Sequence, residues 1–248
     1  MIQLLLALVV GGLGGVLLAA SLLTLKDKPL LRLSDYLMSL AGGTLLGSAF
    51  LAMMPRAIDG IGCQYEALQI VLLGIVLLFV LEKVILWRKC QDRNCERQNS
   101  ASAPLIIIGD AFHNFIDGIV IAAAFLTEPS MGWFVTFSVL AHEVPQELAD
   151  FGILIKAGYS RKKALFYNML SALSSVVSGI LAYFALEKMQ SLIPWVLCFS
   201  AASFIYIALS DLVPQMHKKT GIKDSLLQLF LILSGIAIIY FLSQGHHH

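Results

Sequence analysis

Two segments of the chain hold side chains able to bind a metal ion. The first reads GDAFHNFIDGIVIAAAF and places Asp110, His113, Asn114 and Asp117 at i, i+3, i+4 and i+7, one face of one helix. The second reads VLAHEVPQELADFGILI and carries His142, Glu143, Gln146, Glu147 and Asp150 in a stripe about two turns long. His113 with Asp117, and His142 with Gln146, each set two donor groups one turn apart. Facing each other, two such helices can bring imidazole nitrogen and carboxylate oxygen to one cation, as metal sites in helix bundles do. A nitrogen and oxygen set without thiolate suits zinc, ferrous iron or manganese better than copper(I). Asp110 and Asp150, at the stripe ends, read as access or exit residues or helix-end partners rather than primary ligands, and Glu147 as a pathway residue.

The elements that carry these residues read as membrane helices. Of 248 residues 58% are apolar and 13% charged, where soluble domains carry about a quarter charged. The charges cluster, and Met1 to Leu25, Tyr36 to Pro55, Ala67 to Leu81, Ala164 to Leu186, Met189 to Ser210 and Leu226 to Gly245 hold none. Runs near 18–20 residues suit helices crossing the hydrocarbon core, and these neither alternate in polarity nor shorten as barrel strands do. The expected fold is an all-α polytopic membrane protein. Its eight transmembrane helices lie near 2–25, 34–54, 66–88, 104–126, 131–156, 163–187, 192–213 and 225–243. Residues 1–245 form a single domain. Gly245 followed by His246, His247 and His248 reads as a purification-tag remnant.

Basic residues set the orientation. With the N-terminus outside, inner loops hold Lys26, Lys28, Arg32, Lys83, Arg88, Lys89, Arg93, Arg97, Lys156, Arg161, Lys162, Lys163, Lys218, Lys219 and Lys223. The outer loops hold only Arg56 and Lys188 of the 17. That bias places both termini outside. Gly11, Gly12, Gly14 and Gly15, and Gly42, Gly43, Gly47 and Ser48, read as close helix-packing surfaces. Cys63, Cys90, Cys95 and Cys198 suggest no disulfide framework and read as reduced thiols, with Cys90 and Cys95 in a basic loop where a metal could touch them.

The fourth and fifth segments break the pattern of the others. Five carboxylates in two spans cost on the order of 10 kcal/mol on transfer into lipid. No lysine or arginine lies in either segment before Lys156, so the counter-charge is a metal ion, protons or water. A buried hydrogen-bond network is the alternative. Nine polar residues in two consecutive spans, both membrane histidines among them, favour metal coordination. Pro145 removes a backbone bond to Ala141 and is expected to kink its helix, which either aims ligands inward or is a tolerated bend. Asn168 could complete a site or bond a neighbouring helix. Asp211 could pair with His217, line an exit path or cap its helix.

Together HNFIDG, HEVPQELADFGIL and SFIYIALSDLVPQM resemble the ZIP (Zrt/Irt-like) family of divalent metal transporters, and the resemblance covers essentially the whole chain. It implies transport of zinc, iron or manganese into the cytosol through a two-metal site between the fourth and fifth helices. His113, Asp117, His142 and Gln146 would line one position. Asn114, Asp117 and Glu143 would line the other, with Asp117 bridging. It further implies that helices 1, 4, 5 and 6 move as a unit against 2, 3, 7 and 8. The chain departs from the family at Gln146, where relatives usually have His or Glu, and at SAFLAMMPRA, where many carry a histidine.

The expected function is therefore a transporter and not an enzyme. Zinc is its substrate, with iron, manganese or cadmium as alternatives, moved by alternating access. An intramembrane metalloprotease needs HExxH, and here Gln146 holds the second ligand position. A proton-coupled exporter would also use an intramembrane His and Asp, and a metal-sensing receptor would bind without transport. The expected setting is a plasma or bacterial inner membrane. The expected partners are divalent metal ions, the lipid bilayer and a second copy of the chain in a homodimer, with no nucleic acid.

Overall fold

A computed structural model describes residues 1–23, 27–90, 98–218 and 221–244. Cys95, the Cys90 side chain and the terminal histidines lie outside them. Every regular element among the described residues is helical. Eight helices follow in chain order: α1 (Ile2–Leu22), α2 (27–61), α3 (Gln64–Cys90), α4 (Gln98–Thr127), α5 (Pro129–Lys156), α6 (Arg161–Lys188), α7 (Gln190–Met216) and α8 (Ile222–Gln244). Seven are long and apolar enough to cross a membrane. α5 has 28 residues, about 42 Å of helix, and only its polar stripe keeps it from that set.

The helices outrun the apolar segments. α2 starts at Asp27 and continues to Ile61, and α4 starts at Gln98. Proline shapes two of them. α2 widens into a π-helical turn at Ser48–Met53 before Pro55, and α7 does so at Ala208–Leu212 before Pro214. A proline ring crowds the carbonyl four residues back, here Leu51 and Ser210, and both carbonyls lie inside the widened turns. By contrast, α5 runs through Pro145 as continuous helix, so the proline leaves no break there.

Packing sorts the helices into two groups. α4 lies mainly on α6 and α5, and α1 on α5 and α6. α2 lies on α8 and α7 alike, and α3 on α7. The groups meet along α2 with α5 and α4 with α7. α1 reaches α5 closely because Gly15 has no side chain: a Cβ there would stand 2.9 Å from Cβ of Glu143. α1 therefore lies directly over the polar stripe of α5.

Candidate metal centre

The two polar stripes face each other in the middle of the bundle. Asp110, Asn114 and Asp117 of α4 and His142, Glu143 and Glu147 of α5 are buried, while His113, Gln146 and Asp150 are partly exposed. Gly118, next to Asp117, lets α4 press on α6, since a Cβ there would meet the Ser175 carbonyl oxygen at 2.1 Å. That contact fixes how Asp117 faces α5.

Four of these residues converge. One donor atom each from His113, Asp117, His142 and Glu143 lie within 4.8 Å of one another. His113 Nε2 is 3.0 Å from His142 Nε2, 3.6 Å from Asp117 Oδ2 and 3.5 Å from Glu143 Oε1. His142 Nε2 is 3.2 Å from Asp117 Oδ2 and 3.8 Å from Glu143 Oε1. A tetrahedron with zinc–ligand bonds near 2.0–2.1 Å has edges of about 3.3 Å. The five separations bracket that edge, so the donor set fits a small divalent cation. The imidazoles stand at 90° to each other. His142 Nδ1 lies 2.9 Å from the Ser138 carbonyl oxygen; a proton on Nδ1 leaves Nε2 free to face the cluster. The Ser138 hydroxyl lies 2.7 Å from that of Ser48, which ties α5 at this level to the π turn of α2.

A second group adjoins the first. Asp110, Glu143 and Glu147 bring carboxylate oxygens within 4.8 Å of one another, so Glu143 belongs to both groups. Asp110 accepts from Asn114 Nδ2 at 3.1 Å and from Gln146 Nε2 at 3.4 Å. Asn168 of α6 is buried beside Glu147. Seven buried oxygens here lack a hydrogen-bond donor: Oδ1 of Asn114 and both oxygens of Asp117, Glu143 and Glu147. The histidines stand within ion-pair reach of Asp117 and Glu143 but not in hydrogen-bond alignment. An unsatisfied buried acceptor costs roughly 1–3 kcal/mol, and more when charged. Seven such acceptors against one unpaired buried donor among the described residues, Nδ2 of Asn168, suit a cation.

Two cavities lead away from the cluster. One, of about 250 Å³, is bordered by Glu82, His113, Gln146, Tyr206 and Asp211. The other, of about 190 Å³, is bordered by His142, Gln146, Asp150, Asp211 and Gln215. Both lie toward the lysine- and arginine-rich ends of α3, α5 and α7. At the opposite end, Ala122, Ala123, Ala124, Met131 and Val135 pack into the core.

The structure brings together most of the residues singled out from sequence and arranges them differently. His113, Asp117 and His142 share the first group with Glu143, while Gln146 turns its amide toward Asp110. Asp110 and Glu147 stand together with Glu143 in the second group. Asp150 and Asp211 line cavities. Among the described residues no ion pair joins Asp211 to His217; Ser210 donates to Asp211 instead. Sequence reasoning read Ser48 as a helix-packing position and missed its partner Ser138, Glu82 and the Glu82–Tyr206 hydrogen bond. An acid just inside the end of an apolar run is the signal Glu82 offered.

An all-helical bundle in which seven helices are long and apolar enough to cross a membrane defines this chain as an all-α polytopic membrane protein. The ZIP zinc transporter family model matches residues 88–243. The chain belongs to the ZIP zinc transporter family. It is 43% identical over 143 residues to zinc transporter foi of Drosophila melanogaster, covering 56% of this chain and 20% of that protein. It is 31% identical over 224 residues to zinc transporter ZIP13 of Pongo abelii, covering 84% and 66%. With zinc transporter ZIP10 of Danio rerio it shares 34% over 151 residues, 58% and 18%. The chain thus spans from about a fifth to two thirds of the length of these relatives.

Proposed function

We propose that the protein carries divalent transition-metal ions, zinc first among them, into the cytoplasm by alternating access through the cluster between α4 and α5. The observation that carries this reading is the convergence of two imidazole nitrogens with buried, donor-free carboxylate oxygens at tetrahedral spacing. His113, Asp117, His142 and Glu143 form the principal seat. Asp110, Glu143 and Glu147 form an adjoining oxygen seat, with Asn114 and Asn168 beside it. The relatives named as zinc transporters support zinc as the substrate. Iron, manganese and cadmium can use the same donors.

The basic loops face the cytoplasm and both termini lie outside, on the lysine and arginine bias. The two cavities then open inward, and the conformation is inward-facing. A cation leaving the cluster meets Gln146 and Asp211, which border both cavities, and Glu82 along one of them. Release follows from exchange of imidazole and carboxylate ligands for water, and no covalent step is needed. The setting is a plasma or bacterial inner membrane.

The test is zinc uptake into proteoliposomes together with anomalous scattering from bound zinc. Uptake with zinc density between α4 and α5 is expected. Wild-type protein that binds zinc without net flux would be a sensor instead, and efflux alone would mark an exporter.

A further inference from the structure

At the end of the bundle away from the cavities, one ion pair joins the two helix groups. Arg56 Nη2 of α2 lies 2.6 Å from Oε2 of Glu128, the single residue between α4 and α5. Arg56 Nη1 also donates to the Ala52 carbonyl at 3.2 Å, within the π turn of its own helix. The other oxygen of Glu128 accepts from the Ser130 hydroxyl. The side chains are 20% and 30% exposed, so the pair sits at a mouth rather than in the core. Arg56 is one of only two basic residues assigned to that side.

A repeated local structure gives the pair its meaning. The π turn followed by proline occurs in α2, ending at Pro55, and in α7, ending at Pro214. α2 runs toward the outer side and α7 toward the inner, so the two units stand at opposite ends of the bundle. The residue after Pro214 is Gln215, which borders an open cavity. The residue after Pro55 is Arg56, which is held across the boundary by Glu128. One end is open and its counterpart is pinned.

We infer that Arg56 and Glu128 form the outer latch of the transport cycle. The pair closes when the outer ends of the two helix groups meet, and it must part before a cation enters from outside. While it holds, both Glu128 oxygens are engaged and the guanidinium repels an incoming cation. When it parts, Glu128 becomes a carboxylate at the mouth. This rests on the transport reading and the orientation given above.

Hydrogen exchange in nanodiscs tests it, with the wild type, Arg56→Gln, Glu128→Gln and the reversed pair Arg56→Glu/Glu128→Arg. Each single variant is expected to exchange roughly two- to fivefold faster over residues 48–61 and 122–134, the range a partly exposed ion pair supports. The reversed pair should return to within about twofold of the wild type. Unchanged exchange in the single variants, or no return in the reversed pair, overturns the latch. Wild-type zinc uptake is measured alongside. Its absence overturns the transport reading, whereas uptake with unchanged exchange overturns the latch alone.

Discussion

Asp117 and Glu143 face His113 and His142 across a space no lysine or arginine side chain among the described residues is recorded as pairing into. Removing both an imidazole and a carboxylate from that space leaves too few donors for tetrahedral binding. His113→Ala with Asp117→Ala should therefore weaken zinc binding at least about a hundredfold and abolish uptake, read by competition with a chelating dye and by flux. Gln146 makes a contrasting case, because its amide serves Asp110. Gln146→Ala should lower zinc affinity by less than about tenfold, and a hundredfold loss would show that it ligates the ion directly. At this scale much was legible. His113 and Asp117 share a face of α4 by spacing alone, and His142 and Gln146 share one of α5. Glu143 was legible as well; that its carboxylate stands within reach of both histidines and also of Asp110 and Glu147 depends on how α5 is rotated against α4, which no single-helix pattern encodes. The Ser138 carbonyl was invisible for another reason: every helical histidine has a carbonyl four residues back.

Helix contact decides whether those side chains meet. Gly118 sits where α4 touches the α6 backbone, and even a methyl group there would collide with Ser175. Gly118→Ala should destabilise the protein by about 1–3 kcal/mol and weaken zinc binding by displacing Asp117. Gly152 has open space around its Cβ position, so Gly152→Ala should leave both within about 1 kcal/mol of the wild type. Thermal unfolding in detergent with and without zinc separates the two variants. Six of the eight helices were readable because long uncharged runs form helices in lipid, and α4 and α5 because their polar side chains recur at helical spacing. Their ends were not, since helix continues past the apolar stretch wherever polar residues can reach water; α2 accordingly begins at Asp27 and α4 at Gln98. The π turns were also hidden: proline alone does not say whether a helix widens, as at Pro55, or runs through, as at Pro145, and α1 widens at Val9–Leu13 with no proline at all.

For the whole molecule, orientation makes a direct prediction. Cys63 is partly exposed in the turn between α2 and α3, on the side assigned outside, and Cys198 is buried in α7. A membrane-impermeant maleimide should label Cys63 in intact cells, and Cys63→Ser should remove the signal. Labelling that survives this substitution would reverse or break the assigned topology.

The single residue between α4 and α5 has a further consequence for biogenesis. α5 has enough length to span the bilayer but not enough apolar character to enter it alone. Its partner stripe on α4 is joined to it through Glu128 only. As the chain leaves the ribosome, the two should partition into lipid as one hairpin, each hiding the other's acids, with α1 already waiting to cover Glu143. The same closeness that builds the metal seat would then let its most polar helix reach the membrane at all.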